Sequence, residues 1–117
     1  MTSALLVALG AALGAPVRYL TSHLLRTRWG ARASAGTLTV NVLGSFLLGL
    51  LAADGVAGDL WALVGIGFCG ALTTFSSLAL ELWEAYAEGR RREGLVNLTL
   101  SLVLGLGAAW LGWSLGS

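Results

Sequence analysis

Charge is scarce in this 117-residue chain: 11% of its residues are Asp, Glu, Lys or Arg, against 56% hydrophobic, and the mean hydropathy is +0.81. A water-soluble domain of this size could not keep that much apolar surface off its exterior, so the chain belongs in a membrane. Seven arginines against six acids leave a net charge near +1 with no basic stripe, which excludes a nucleic-acid binder. Cysteine is limited to Cys69, which excludes an internal disulfide and any cysteine-based metal cluster. Proline occurs once, at Pro16. What the chain has in abundance is glycine, 17 residues. In water that density would weaken helices by roughly 1 kcal/mol per site relative to alanine, whereas in lipid small residues let helices approach closely. The composition implies one all-helical unit that crosses the membrane several times.

A hydrocarbon core of about 30 Å asks for about 20 apolar residues per helical span. Four windows between the charges meet that length, over about 3–25, 35–53, 60–87 and 95–115. The connections carry nearly all the charge: Arg26 to Arg32, Asp54 to Asp59, and Glu88 to Glu93. None is long enough for a separate domain, so residues 1–117 read as a single four-span membrane domain. Leu5 to Leu13 resembles the apolar core of a signal peptide, but no positive residue precedes it and the apolar stretch continues past Arg18 to Leu25. A retained span is the better reading.

Arginine placement is lopsided. With four spans, the first and third loops share one side, and Arg26, Arg28, Arg32, Arg90, Arg91 and Arg92 all fall there; the opposite side has none. The positive-inside rule places those loops in the cytoplasm and both termini outside. Anchoring of helix ends to lipid phosphates is compatible with the same orientation.

Polar residues inside spans are informative, because each must find a partner or line a wet path. Arg18 lies within the first span, about seven residues short of its end; it reads either as a cation at the mouth of an anion path or as an interface anchor beside Tyr19. In GTLTVNVLGSFLLG, Thr37 and Asn41 are four apart and share a helix face with Gly44 and Ser45. Asn41 either bonds a neighbouring helix or lines a pore, since its amide unpaired in hydrocarbon is costly. The third span is anomalous: Gly65, Gly67 and Gly70 precede Thr73, Thr74, Ser76 and Ser77 at what should be membrane mid-depth. Glycines would permit a turn there, and freed backbone carbonyls could coordinate a cation or bind water. The alternative is a helix face packed through glycine, with its hydroxyls bonded to the preceding turn. Glu81 follows on the same helix and is expected to be paired, with Arg18 a candidate, while Glu84 and Glu88 read as interfacial beside Trp83 and Tyr86. Asn97 and Ser101, four apart, form a polar stripe on the fourth helix, and Trp110 and Trp113 fit an aromatic belt at its other end.

Three segments together resemble the small fluoride channel family, Fluc or CrcB: GAPVRY with Arg18, GTLTVNVLGSFLLG with Asn41, and GFCGALTTFSS with Phe75. Their order, spacing and four-span setting match over essentially the whole chain. The resemblance implies a fluoride-selective channel in the cytoplasmic (inner) membrane, exporting fluoride passively and so lowering its toxicity inside the cell. It also implies an antiparallel dimer, formed with itself or with an oppositely oriented homologue, with pores at the subunit interface. A structural Na+ on the dimer axis would be held by main-chain carbonyls at a break in the third helix. Carried residue by residue, the sodium carbonyls are those of Gly70 and Thr73. The fluoride pore takes Asn41, Phe75, Ser76 and Ser77, with Asn97 and Ser101 on the fourth helix, and Arg18 sits near the vestibule. The family's Thr-Thr-Phe-Ser-Thr-Phe pattern has Leu78 here in place of the second ring, so the positive ring edge that could face an anion is missing at that position.

Fluoride is small and strongly hydrated, so a selective path must replace its water with close donors and exclude larger anions by width. A full positive charge inside such a path would hold the ion too tightly, and arginine is absent from the central segments. The alternative class is a small dual-topology multidrug or proton-coupled exporter, which needs a carboxylate in its first helix; here the first acid is Asp54, in a loop. An enzyme is not expected, since the lone His23 lies near an interface with no cysteine or acid close in sequence.

Overall fold

The computed structural model describes residues 2–30 and 33–116, so Arg32, counted above among the arginines of the first loop, lies outside the described residues. Helix α1 runs Thr2–Trp29 and α2 Ala33–Ala53. The third crossing is composite, built from α3 (Gly58–Leu60), a π-helix (Trp61–Cys69), α4 (Gly70–Leu72) and α5 (Phe75–Ala87). Helix α6, Arg91–Gly116, closes the chain. Among the described residues four helical segments are long and apolar enough to cross a membrane: Ser3–Trp29, Ala35–Ala53, Gly58–Ala87 and Arg91–Gly116. Three of these exceed their sequence bounds, the third by Gly58 and Asp59 alone. Helix α1 continues past Leu25 so that Arg26 and Arg28 occupy its last turn, where cations complement the carbonyl end of the helix dipole. Helix α6 starts at Arg91, with Glu93 in its first turn at the positive end.

Helices α2 and α5 end in the same way. Gly55 and Gly89 adopt left-handed φ of 71° and 77°. Val56 N–H bonds back to Leu51 O at 3.0 Å, and Arg90 N–H to Ala85 O at 2.7 Å. This wrapped end satisfies carbonyls that would otherwise face lipid or water unpaired, and it reverses the chain into the next crossing.

The tightest pairings are α2 with α6 and α1 with the π-helix. Both rest on glycine. A Cβ on Gly10 would run into the Leu63 carbonyl oxygen, and one on Gly112 into that of Phe46, so the backbones meet directly. The enclosed core is thin: among the described residues only Val40 and Cys69 are fully buried large side chains, while leucines such as Leu5, Leu13, Leu102 and Leu106 stand mostly exposed. That distribution is inverted for water and suited to lipid or to a protein partner.

Gly65, Gly67 and Gly70 do not make a turn. Gly65 and Gly67 lie inside the π-helix, Gly65 beneath the Trp61 ring and Gly67 against the Val7 carbonyl, and Gly70 has an ordinary helical φ of −63°. The glycines are there for close packing. The ladder instead lapses at Thr73 (φ −81°, ψ 156°) and Thr74 (φ −151°, ψ 117°), both extended, as suits β-branched side chains. These two residues divide the Gly58–Ala87 segment near its middle.

Candidate functional site

The polar side chains of α2 recur every fourth residue, Thr37, Asn41 and Ser45, so they form one stripe along the helix. Each meets something different.

At the centre, the Asn41 carboxamide engages Thr74 twice: its Oδ1 accepts from the Thr74 backbone N–H at 2.7 Å, and its Nδ2 donates to the Thr74 carbonyl at 3.2 Å. Thr74 is also the N-cap of α5, its Oγ1 accepting from Ser77 N–H at 3.1 Å. The hydroxyls of Ser76 and Ser77 both lie 3.2 Å from Thr74 Oγ1. Thr73 turns back instead, donating from Oγ1 to Cys69 O at 2.9 Å, so one hydroxyl of the run bonds the preceding turn and the next caps the following helix. Beside this junction an open hollow of about 230 Å³ is lined by Asn41, Ser45, Leu48, Thr73, Thr74, Phe75 and Leu78. Phe75 stands 80% exposed at its rim, whereas Leu78 is buried.

One turn along α2, buried Thr37 donates from Oγ1 to Glu81 Oε2 at 2.5 Å. The other carboxylate oxygen, Oε1, lies 3.4 Å from Asn97 Nδ2, and Ser101 Oγ donates to Asn97 Oδ1 at 3.4 Å. Glu81 is therefore held by a hydroxyl and an amide from α2 and α6. Arg18 is not its partner, which corrects the expectation from sequence. The hydroxyl–amide chain fixes the direction of the groups that face the Glu81 carboxyl.

The expected pore residues thus divide into two groups. Asn41, Phe75, Ser76 and Ser77 come together at the Thr73–Thr74 junction; Asn97 and Ser101 lie with Thr37 and Glu81. The stripes of α2 and α6 run side by side, and beyond Ser101 the α6 stripe continues to Gly105, whose missing Cβ would lie 3.9 Å from Ser45 Oγ. Arg18 is half-buried on α1 and belongs to neither group. Thr37 was visible in the sequence only as a face-mate of Asn41; its bond to a residue 44 positions away leaves no trace in periodicity.

The donor chemistry for a hard cation fits at the junction. In an unbroken helix the Thr74 N–H would bond Gly70 O and the Ser77 N–H would bond Thr73 O; here they go to Asn41 Oδ1 and Thr74 Oγ1. Both the Gly70 and Thr73 carbonyls are thereby released from the ladder, and carbonyl oxygens suit a hard cation.

At the third loop, Arg90 bonds Glu93 at 2.9 Å and Glu88 at 2.7 Å, and Arg91 lies 4.9 Å over the Tyr86 ring. Glu93 first, then Glu88, raises the Arg90 guanidinium above its ordinary range, so it stays charged at any physiological pH.

Comparison with known sequences places these features in a family. A model described as CrcB-like protein, Camphor Resistance (CrcB), matches residues 5–113. A relative from Geobacillus kaustophilus (strain HTA426), named fluoride-specific ion channel FluC 1, is 44% identical over 120 residues, spanning 99% of each chain. A relative from Shewanella baltica (strain OS185), named fluoride-specific ion channel FluC, is 44% identical across 98% of this chain and 96% of its own. One of the same name from Vibrio parahaemolyticus serotype O3:K6 (strain RIMD 2210633) is 41% identical across 93% and 90%.

Proposed function

Because the chain belongs to the CrcB-like family, we propose that it is a fluoride-selective channel that lets fluoride leave the cytoplasm passively across the inner membrane. The observation that carries the reading within the structure is the junction at Thr73 and Thr74, where a helix N-terminus opens beside Asn41 on an otherwise apolar surface. The first N–H groups of α5 have no partner within their own helix, and its dipole places partial positive charge there. An anion reaching that end meets donors at fixed positions without meeting a full charge. The second N–H of the Asn41 amide, the Ser76 and Ser77 hydroxyls and the Phe75 ring edge complete a set able to replace water around a small anion. Asn97 and Ser101 extend the polar path toward the arginine-rich end. Arg18 attracts anions toward the vestibule from outside that path.

The finer architecture follows from what one subunit leaves incomplete. Phe75 is bare and the hollow is open on one side, so a second subunit would close both. A two-fold axis in the membrane plane gives an antiparallel dimer, with the third crossing broken near mid-membrane in each subunit. The partner is a second copy or an oppositely oriented homologue. The Gly70 and Thr73 carbonyls of both subunits would then supply four oxygens to one Na+, whose charge would tie the two breaks together. The exporter alternative finds no support in the relatives.

Growth tests the reading in the cell. A bacterium lacking its own fluoride exporter should survive millimolar fluoride only when it carries this chain and any homologue it pairs with. Equal killing with and without it would contradict an export role.

A further inference from the structure

We propose that Asn41 is a positioning residue for the cation site: by clamping the Thr74 backbone from α2 it holds the third crossing open and releases the Gly70 carbonyl toward the ion. The inference rests on the sodium reading of the preceding subsection. Its basis is the pairing of one planar amide with one backbone residue, 2.7 Å from Oδ1 to the Thr74 nitrogen and 3.2 Å from Nδ2 to the Thr74 oxygen. A carboxamide is the side chain that offers an acceptor and a donor side by side, as a neighbouring strand would. The bond to Oδ1 takes the N–H that an unbroken helix would return to Gly70 O. Thr74 is meanwhile held from the other side, since its own hydroxyl caps α5 through Ser77 N–H, which requires its extended backbone. Clamp and cap act on the same residue in opposite directions along the chain. Without the clamp, the Thr74 N–H is free to return to the Gly70 carbonyl as in an unbroken helix, which would close the ladder and withdraw that oxygen from the cation.

The role separates from pore lining through the acceptor atom, because the bond that frees the Gly70 carbonyl is the one from Thr74 N–H to Oδ1, while the Nδ2 donor is lost in Asp and Leu alike. Asn41→Asp keeps an oxygen for the Thr74 N–H but places a negative charge beside an anion path. Asn41→Leu, similar in size, removes the acceptor.

The test is thermal unfolding of the purified, detergent-solubilised protein in sodium chloride against N-methylglucamine chloride, paired with fluoride efflux from liposomes. The wild type should show a saturable rise of its unfolding midpoint with sodium. Asn41→Asp should keep that rise while losing fluoride efflux, and Asn41→Leu should lose both. Should the leucine variant not yield folded protein, Asn41→Ser, whose hydroxyl is too short to reach Thr74, carries the same expectation. A full sodium response in Asn41→Leu or Asn41→Ser would overturn the clamp and leave Asn41 a pore residue only. Absence of a sodium response in the wild type would overturn the cation reading itself, and the clamp's purpose with it.

Discussion

Position 78 shows how a single side chain changes what the path can do. Leu78 is buried at the edge of the hollow, one helical turn from exposed Phe75, so a ring there would face the same space. Leucine offers no positive edge, so in the proposed path the anion-facing aromatic role belongs to Phe75. Phe75→Ile should therefore cut fluoride efflux from liposomes by tenfold or more, since a loss of about 1.4 kcal/mol of ion stabilisation at the barrier is tenfold in rate. Leu78→Phe should hold or raise it. Undiminished efflux in Phe75→Ile would remove the ring from the path. Glu81 poses the complementary case, a carboxyl group held by neighbouring helices. Thr37→Val deletes its shortest hydrogen bond while keeping the shape, and should lower stability by about 1–3 kcal/mol, read as a fall in unfolding midpoint. An unchanged midpoint would mean that the carboxylate finds an equivalent donor.

Among the elements, the third crossing departs furthest from regular helix, and its causes lie on its neighbours. Its π-helical half is pressed on α1 through Gly10, and its break is answered by Asn41 of α2. Gly112→Val would drive a side chain into the Phe46 carbonyl and separate α2 from α6, the most extensive pairing in the molecule. It should destabilise by about 1–3 kcal/mol, as overpacking of a close interface does, and show as a lowered unfolding midpoint. This scale also shows what a sequence can carry. The four crossings were legible because charge gathers between apolar windows of the right length, and the Thr37–Asn41 and Asn97–Ser101 stripes because i, i+4 spacing is local. The Gly65, Gly67, Gly70 run drew attention to the right stretch for a mistaken reason: those glycines serve packing, and two extended threonines interrupt the ladder. Neither the Asn41–Thr74 clamp, 33 residues apart, nor the Thr37–Glu81 bond was legible, because contacts between crossings depend on rotation and depth that periodicity within each helix leaves open. Arg18 was a reasonable partner for Glu81 on charge alone, and fold geometry gave the carboxylate to nearer donors.

For the whole molecule, the near-zero net charge conceals an asymmetry. Apart from Arg18, the described arginines lie in the last turn of α1, at the α5–α6 turn and in the first turn of α6, the same side of a four-crossing chain, and the α2–α3 turn carries only Asp54 and Asp59. The proposed antiparallel dimer needs both orientations in one membrane, and on that proposal the bias sets how readily a chain finds a copy of itself. Replacing Asp54 and Asp59 by arginine narrows the arginine count from six against none to six against two and should raise the fraction of inverted chains, measured by labelling of cysteines introduced at the chain ends from outside the cell. An unchanged fraction would show that these arginines do not set orientation.

The central claim, selective passage of fluoride, is tested most directly on the chain purified in detergent, where membrane insertion no longer limits pairing, and reconstituted into liposomes loaded with fluoride and chloride. Ion-selective electrodes then follow both anions after a potential is imposed. The account predicts prompt loss of fluoride with chloride retained. Retention of fluoride, or loss of chloride in step with it, would contradict it.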